Sequence, residues 1–458
     1  MSLQCLQRAR LKRSLAPIAA GYALLLLGIH VAQAADIVEP TAPAAPETAA
    51  VGGMRVSQSL EMWLQNYHLQ SVDSALNPNN VINRLVRQQQ TLEARWQVQG
   101  KSDALDFTLR SRGVMQHASF HYQRDEYESE VRDLYASQAW VRLKVNDRLS
   151  VNAGRMLLTW GQGNFRSPSN PYYFDAGRSQ PLRELAGIDA ISAVYSGQTG
   201  TLQLAHIFGS GHVGGSQGEN FSGSQTGNIN YRDNQLVKYD LVFDQWQGGL
   251  IASRQVGGSN FLGANASWTM NDAWLLYGEV GNGRRPYSLD FSVPGIPVLL
   301  RGQSARATTA LLGASYTMEN GQVLNGEYLF DGHGFGRAEN ARLFQVANQA
   351  RNELGGANAG LAMASLGQLA QGAPVLLGRH YLAAAWQSNV QDSSLYWRVM
   401  WNVNLQDRSS QASAYWEKNI NKNWSVFATA SCNFGGTQTE FGSLYRSSLA
   451  LGAKYFAF

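Results

Sequence analysis

Three small groups of residues invite a chemical reading. His206, Ser210 and His212 stand close together and carry the side chains with which a hydrolase activates a hydroxyl nucleophile. Such catalysis also needs a carboxylate to orient the imidazole and donors to hold the oxyanion. No spacing in the chain supplies them, so no catalytic residue is assigned and an enzyme is not expected. Asp331 and His333, in "DGHG", are two metal-ligand types, but two weak ligands in a loop fall short of a full donor set. The chain has no H-E-x-x-H run or Cys/His cluster, and no metal site or cofactor is expected. "GSGHVG", residues 209 to 214, has the glycine spacing of a dinucleotide fingerprint and follows the strand-like run 201–208. The fingerprint works where a helix begins and receives the phosphate. Here the chain continues "GSQGENFSGSQTGN", which reads as a loop.

A fourth group is richer. Between 159 and 187, Arg166, Arg178 and Arg183 are interleaved with Tyr172, Tyr173 and Phe174, with Asp175 and Glu184 as counter-charges. Guanidinium forks hold carboxylates and phosphates in two-point contacts, and aromatic rings offer flat faces to sugars. This is the chemistry of a recognition surface or a constriction, and the competing reading is a loop whose charges pair with one another outside. The choice depends on what carries the segment.

The carrier is exported. "MSLQCLQRARLKRS" has Arg8, Arg10, Lys12 and Arg13 and no acid, "IAAGYALLLLGI" (18–29) is a short apolar run, and Ala32-Gln33-Ala34 is a small-x-small cleavage site. Together they read as a signal peptide over 1–34; the run is short for a retained membrane anchor. Removing it takes four of 37 Lys+Arg and none of 33 Asp+Glu, which leaves 33 of each sign and no electrostatic argument for nucleic acid. Cys5 leaves with the signal; Cys432 remains, so no intrachain disulfide forms. Residues 35–54, rich in Ala, Pro and Thr and without periodicity, read as a flexible periplasmic leader.

From there one pattern repeats. Leu92, Ala94, Trp96 and Val98 alternate with Thr91, Glu93, Arg95 and Gln97; after "GKSD", Leu105, Phe107 and Leu109 alternate with Asp106, Thr108 and Arg110. Such period-2 hairpins recur around tight turns near 146–148, 196–200, 244–248, 271–273, 319–321, 391–394 and 420–423, with mostly longer polar connections between them. The spacing predicts an all-β chain: one transmembrane antiparallel barrel of about 18 strands over 55–458, with short periplasmic turns and long outer loops. A secreted soluble β protein would turn its charged face to water outside. A barrel turns it to the lumen, so Arg95, Arg110, Arg142, Lys238, Asp240, Arg254, Glu279, Glu327 and Arg398 are expected inside, while Trp268, Trp274, Trp416 and Trp424 belong to an aromatic girdle. "LALGAKYFAF", the last ten residues, reads as a closing strand. It resembles the terminal strand of outer-membrane proteins, with Lys454 where an apolar residue is usual, which leaves its inside–outside register open.

Within 151–195, Gly154, Arg155, Trp160, Gly161, Gly163, Asn170 and Pro171 resemble a "GR…WG.G" segment of porin-like and alginate-export-type outer-membrane barrels. The resemblance covers some 45 residues and implies a channel without identifying the solute. It points to a bacterial outer-membrane channel passing small hydrophilic solutes or saccharides, with outer-membrane lipid and the barrel-assembly machinery as partners and a monomer or homo-oligomer left open. The alternative is a non-conducting scaffold or adhesin barrel. A TonB-type receptor would need a large plug ahead of residue 56, and an autotransporter a long passenger. Finally, "RAENARLFQVANQARNEL" places Leu343, Val346, Ala347, Ala350 and Leu354 at helical spacing, and "NAGLAMASLGQLAQ" predicts a second helix before Pro374. The 332–377 connection is therefore expected to be a partial plug or lid.

Overall fold

A computed structural model of the chain describes residues 47–51, 53–122, 125–173, 182, 184–208, 233–255, 260–285, 287–292, 298–389 and 394–458. The alternation reads directly into strands. Eighteen of them, from Met54–Ser71 to Tyr445–Phe456, pair antiparallel with their neighbours in sequence, and the last pairs with the first, so the sheet closes. The first four, Met54–Ser71, Gln88–Lys101, Leu105–Tyr122 and Asp125–Lys144, run 14 to 20 residues. The other fourteen run 8 to 12, about what a tilted strand needs to cross a bilayer. The chain ahead of the barrel is partly paired as well: Glu47–Val51 folds back on Met54–Gln58, along the same edge that the closing strand occupies higher up.

Short connections at one end join the strands at seven of the eight expected turn positions, and residues 391–393 of the eighth lie outside the described residues. Asn146, Asn271 and Asn421 carry three of these turns: each side-chain oxygen accepts two backbone N–H groups just downstream, at 2.9–3.0 Å, the local bonding that favours Asn in turns. All the long connections lie at the other end. Not every connection there is long: the strands ending at Gln255 and Asn404 continue at Asn260 and Ser410.

The two faces differ as lipid and lumen require. Leu312 and Leu250 stand 67% and 59% exposed on the outward face, where a water-soluble protein would hide them and a bilayer welcomes them. Beside the short turns, outward aromatics pair across strands: Trp246 with Trp268 (5.1 Å between centroids), Trp274 with Tyr316 (4.8 Å), Trp424 with Tyr455 (5.0 Å). This is the girdle that anchors a barrel at the interface. Among the described residues no helix is long and apolar enough to cross a membrane; this barrel crosses with strands.

The closing strand settles the place of Lys454. Leu449 and Leu451 face out and Ala450 and Lys454 face in. Lys454 sits opposite Trp63 on the first strand, its ammonium 4.2 Å from the indole centroid, and donates to Glu417 at 2.8 Å. Glu417 is 2% exposed and also accepts from Ser425 and Tyr415. A buried ion pair contributes little net energy, but removing one partner strands the other charge. Glu417→Ala should therefore lower unfolding stability by about 3–5 kcal/mol, whereas the double change Glu417→Gln/Lys454→Met recovers most of it. Denaturant midpoints in lipid vesicles, read by tryptophan fluorescence, test this.

Candidate functional site

The strand Leu149–Met156 ends where its chain leaves the wall. Residues 157–173 then fold into the barrel and lie across the strands Trp274–Gly283 and Val323–Asp331. Two inward carboxylates hold them. Glu279, 4% exposed, accepts from Gly163 N (2.9 Å), Ser167 Oγ (3.2 Å), Ser169 N (3.4 Å) and Ser169 Oγ (2.6 Å). Glu327, 6% exposed, accepts from Asn164 N (2.6 Å), Phe165 N (2.8 Å) and Tyr277 Oη (2.6 Å). Each carboxylate thus gains the donors that a buried charge requires. Arg398 reaches the same loop, donating to Asn164 Oδ1 at 3.1 Å.

Glycine makes the approach close enough. A Cβ at Gly281 would sit 1.9 Å from Pro168 O, so any larger residue would push the loop off the wall. Gly161, at φ +83°, takes a left-handed turn, and a Cβ there would meet the Glu279 carboxylate at 2.2 Å. Asn170 closes the segment on itself, accepting from Tyr172 N and Tyr173 N and donating to Leu158 O.

The same connection reaches the opposite wall. Leu182 packs with Trp63, Tyr396, Tyr415 and Phe427, and its carbonyl accepts from Arg95 at 3.4 Å. Glu184 accepts from Ser137 at 2.6 Å and lies 4.0 Å from Arg112. Arg112 in turn chelates Glu93, which Arg95 also contacts, and the Arg95 guanidinium lies 3.6 Å from the Trp63 centroid. The loop therefore spans the bore, anchored through carboxylates on one side and set among stacked cations on the other.

The expected site residues fall into five groups. Arg95, Arg110, Arg142, Lys238, Asp240, Glu279, Glu327 and Arg398 have inward parity: Arg110 contacts Gln97, Arg142 donates to Asn152, and Lys238 contacts Asp240 and lies 5.5 Å from the Trp160 ring. Arg254 corrects the expectation. It shares the outward face with Leu250 and Ala252, while Ile251 and Ser253 point inward. It sits in the last pairs before the rim, where an outward charge meets headgroups rather than acyl chains. Tyr172 and Tyr173 are a second correction. Expected as stacking faces, they are buried at 1% and 5% among Met156, Ile188, Ala190, Ile207 and Leu236, because Asn170 turns them back into the wall. Their hydroxyls donate to Asn234 Oδ1 and Ala186 O. Asp175, Arg178 and Arg183 lie outside the described residues; Arg166 and Glu184 are on the inward loop. Arg112 and Trp63 are site residues that the sequence did not single out. The charged break at Lys454 in an apolar strand was the one local signal of the wall they share with it.

At the long-loop end, two helices, α1 (Arg337–Glu353) and α2 (Ala359–Gly372), form the expected helical pair. Leu343, Val346, Ala347 and Ala350 are buried against α2, the 72–87 connection and the hairpin Tyr287–Asp290/Leu299–Gly302, so the apolar faces meet neighbouring loops. Leu376, just beyond, packs with Phe165 of the inward loop. Below lies Glu440, which accepts from Tyr381 Oη and Asn404 Nδ2. Burial pushes its carboxyl up to about 7, against the hydrogen bonds it receives. Asp331 accepts from Thr309 Oγ1 and His333 N, and burial, with Arg285 and Arg166 nearby, holds the His333 imidazole below its ordinary value. Among the described residues no group of three or more potential ligands could hold a metal ion.

Fold and site together define a membrane-spanning barrel of 18 strands whose bore is crossed by one of its own connections. Solved structures of similar outline include OccK11 (OpdR) of Pseudomonas aeruginosa, at 10% identity and a TM-score of 0.47 over 87% of this chain and 95% of that one. OprD of Pseudomonas aeruginosa matches at 12% and 0.44 over 87% and 94%, and OccAB3 of Acinetobacter baumannii at 11% and 0.45 over 87% and 98%. No family model and no curated protein matches the chain.

Two outcomes follow from the geometry. Gly281→Val should displace 157–170 from the wall and change single-channel conductance and its noise in planar bilayers, while heat-modifiable gel migration shows the barrel still folded. Glu440 has a folded-state pKa above its ordinary 4.5, so it favours the docked 435–444 loop below that value and loses this contribution as pH rises through about 7. The Glu440 and Phe441 amides, bonded to Asp407 Oδ2 and Ser409 Oγ, should exchange faster at pH 8 than at pH 5 after correction for intrinsic rates. Glu440→Gln should remove the difference.

Proposed function

We propose that the protein is a porin-like channel of a bacterial outer membrane, passing small hydrophilic solutes or short saccharides without a catalytic cycle. The observation that carries this reading is the inward face. Ionisable side chains of both signs line it on both walls, and one loop is fixed across the bore on Glu279 and Glu327. A barrel serving only as a scaffold has no need of a loop anchored by charged groups inside its wall. In this reading, the signal peptide over 1–34 directs export, the closing strand is recognised by the barrel-assembly machinery, and Arg166, Arg178 and Arg183 supply cationic donors along the loop. An alginate-type acidic saccharide is one solute such donors suit.

The paired charges predict weak selectivity, since strong selectivity needs rings of one sign. Reconstitution in planar bilayers should give steady conductance with a reversal potential close to zero under a salt gradient. A silent bilayer with correctly folded protein would turn the assignment to a scaffold or adhesin. In the same reading the helical pair is a partial lid. Removing residues 338–373 and joining the ends with a short Gly/Ser turn should raise conductance and reduce closures while the barrel still assembles; unchanged conductance in the folded deletant would make α1 and α2 an ornament of the mouth.

A further inference from the structure

We infer that the outward rim around Arg254, Arg284 and Arg306 is a binding site for the phosphate-bearing headgroup of a membrane lipid. Register places these residues in one row. Arg254 pairs across the sheet with Asn260. Continuing the ladder two steps beyond the Leu262–Asn282 pair sets Asn260 opposite Arg284, and continuing it one step beyond the Gly283–Ala307 pair sets Arg284 opposite Arg306. On the other flank, Arg254 pairs with Gln235, which pairs with His206. The row from Arg254 to Arg306 crosses three strand spacings, about 14 Å, wide enough for a headgroup with two phosphate groups.

All three arginines are exposed. Parity puts them on the face that carries Leu250, Leu262, Val280 and Leu312, so they stand above the lipid-facing apolar band and outside the bore. Arg306 is held in place, donating to Asn282 Oδ1 and Asn260 O at 2.8 Å each. That uses two of its five N–H donors and leaves the others for a ligand. Among the described residues no carboxylate forms an ion pair with Arg254, Arg284 or Arg306, whereas Arg87, Arg155 and Arg379 each have one. Asp233, one position beyond the Gln255–Asn234 pair, is the nearest acid in sequence register. Elsewhere on this rim an outward arginine is neutralised: Arg155 forms a two-point contact with Asp189 at 2.8 Å. Three uncompensated guanidinium groups abreast, at headgroup depth, match phosphate monoesters, which accept the two-point bonds that an arginine fork offers. Immediately below, Ala252, Ala264 and Ala310 alternate with the exposed leucines and leave shallow space for an acyl chain beneath the headgroup. This inference rests on the membrane placement of the barrel and not on conduction.

The test is native mass spectrometry of the detergent-solubilised full chain titrated with diphosphoryl lipid A, its monophosphoryl form and phosphatidylcholine. The diphosphoryl lipid should bind tightest and phosphatidylcholine weakest. Each arginine near a charged interface contributes enough that Arg284→Gln alone should weaken binding about fivefold and the triple Arg254→Gln/Arg284→Gln/Arg306→Gln about a hundredfold. Arg132→Gln, on the strand Asp125–Lys144, should change nothing. Wild-type binding by the triple variant, or equal binding of phosphatidylcholine, would overturn the site; full displacement of the lipid by excess inorganic phosphate would make it a simple anion site and overturn the lipid assignment. Among the described residues the Arg284 side chain has no hydrogen bond or ion pair to lose, so its single variant keeps the test open if the triple variant folds poorly. Bilayer conductance, unmoved by these changes, keeps the outcome separate from the channel proposal.

Discussion

Everything in this molecule depends on the register between the closing strand Tyr445–Phe456 and the opening strand Met54–Ser71. In lipid an unpaired backbone group costs several kcal/mol, so the sheet must close, and eleven recorded residue pairs do so. Closure also fixes every side chain. The pleat has a period of two, so a slip of one residue would turn Lys454 and its row to the acyl chains and Leu449 and Leu451 to the bore. Lys454 works against that slip: its partners Trp63 and Glu417 come from strands on either side of the seam. The charge that interrupts the apolar alternation is thus the one that specifies where the last strand sits.

Inside, the wall uses carboxylates as anchors for backbone. Glu279 and Glu327 receive N–H groups from residues 163, 164, 165 and 169, four main-chain donors of a segment with no strand partner of its own. A loop inside a barrel would otherwise leave those donors unpaired away from bulk water. The two glutamates solve that problem, and Gly281 removes the side chain that would keep the loop at a distance. The outer cap joins the same structure through Leu376, which packs on Phe165. The helices, the inward loop and the strands are therefore mechanically continuous, and a change at the mouth has a packed route to the bore.

The fold was largely legible in the sequence because its signals are local. Period-2 alternation, Asn-containing turns and the tryptophans beside them each act within a few residues, and they correctly placed seven short turns among the described residues and the 18-strand closure. The helical pair was legible for the same reason, from Leu343, Val346, Ala347 and Ala350 at a 3.6 period. The site was less legible. Arg112, Trp63 and Glu93 become neighbours only through pairing of separate strands. The two tyrosines misled because a "YY" pair among arginines looks like a recognition surface, whereas the decisive residue is Asn170, whose side chain folds the backbone so that both rings enter the wall.

Arg254 exposes a general weakness in reading a barrel from polarity. The rule that polar residues face the lumen is a rule about the middle of the membrane. An arginine on the lipid face costs about 2–4 kcal/mol at the midplane but about 0–1 near the interface. Toward the ends of each strand, both faces therefore tolerate charge, and the sequence no longer says which side a residue is on. Depth, as well as parity, is needed to interpret a charged position. On this wall the difference is plain along two neighbouring strands: Lys238, near mid-strand, faces inward to Asp240, and Arg254, in the last pair with the strand that follows, faces out. The two cations have the same chemistry. Their distance from the rim decides whether one belongs to the bore and the other to the lipid boundary.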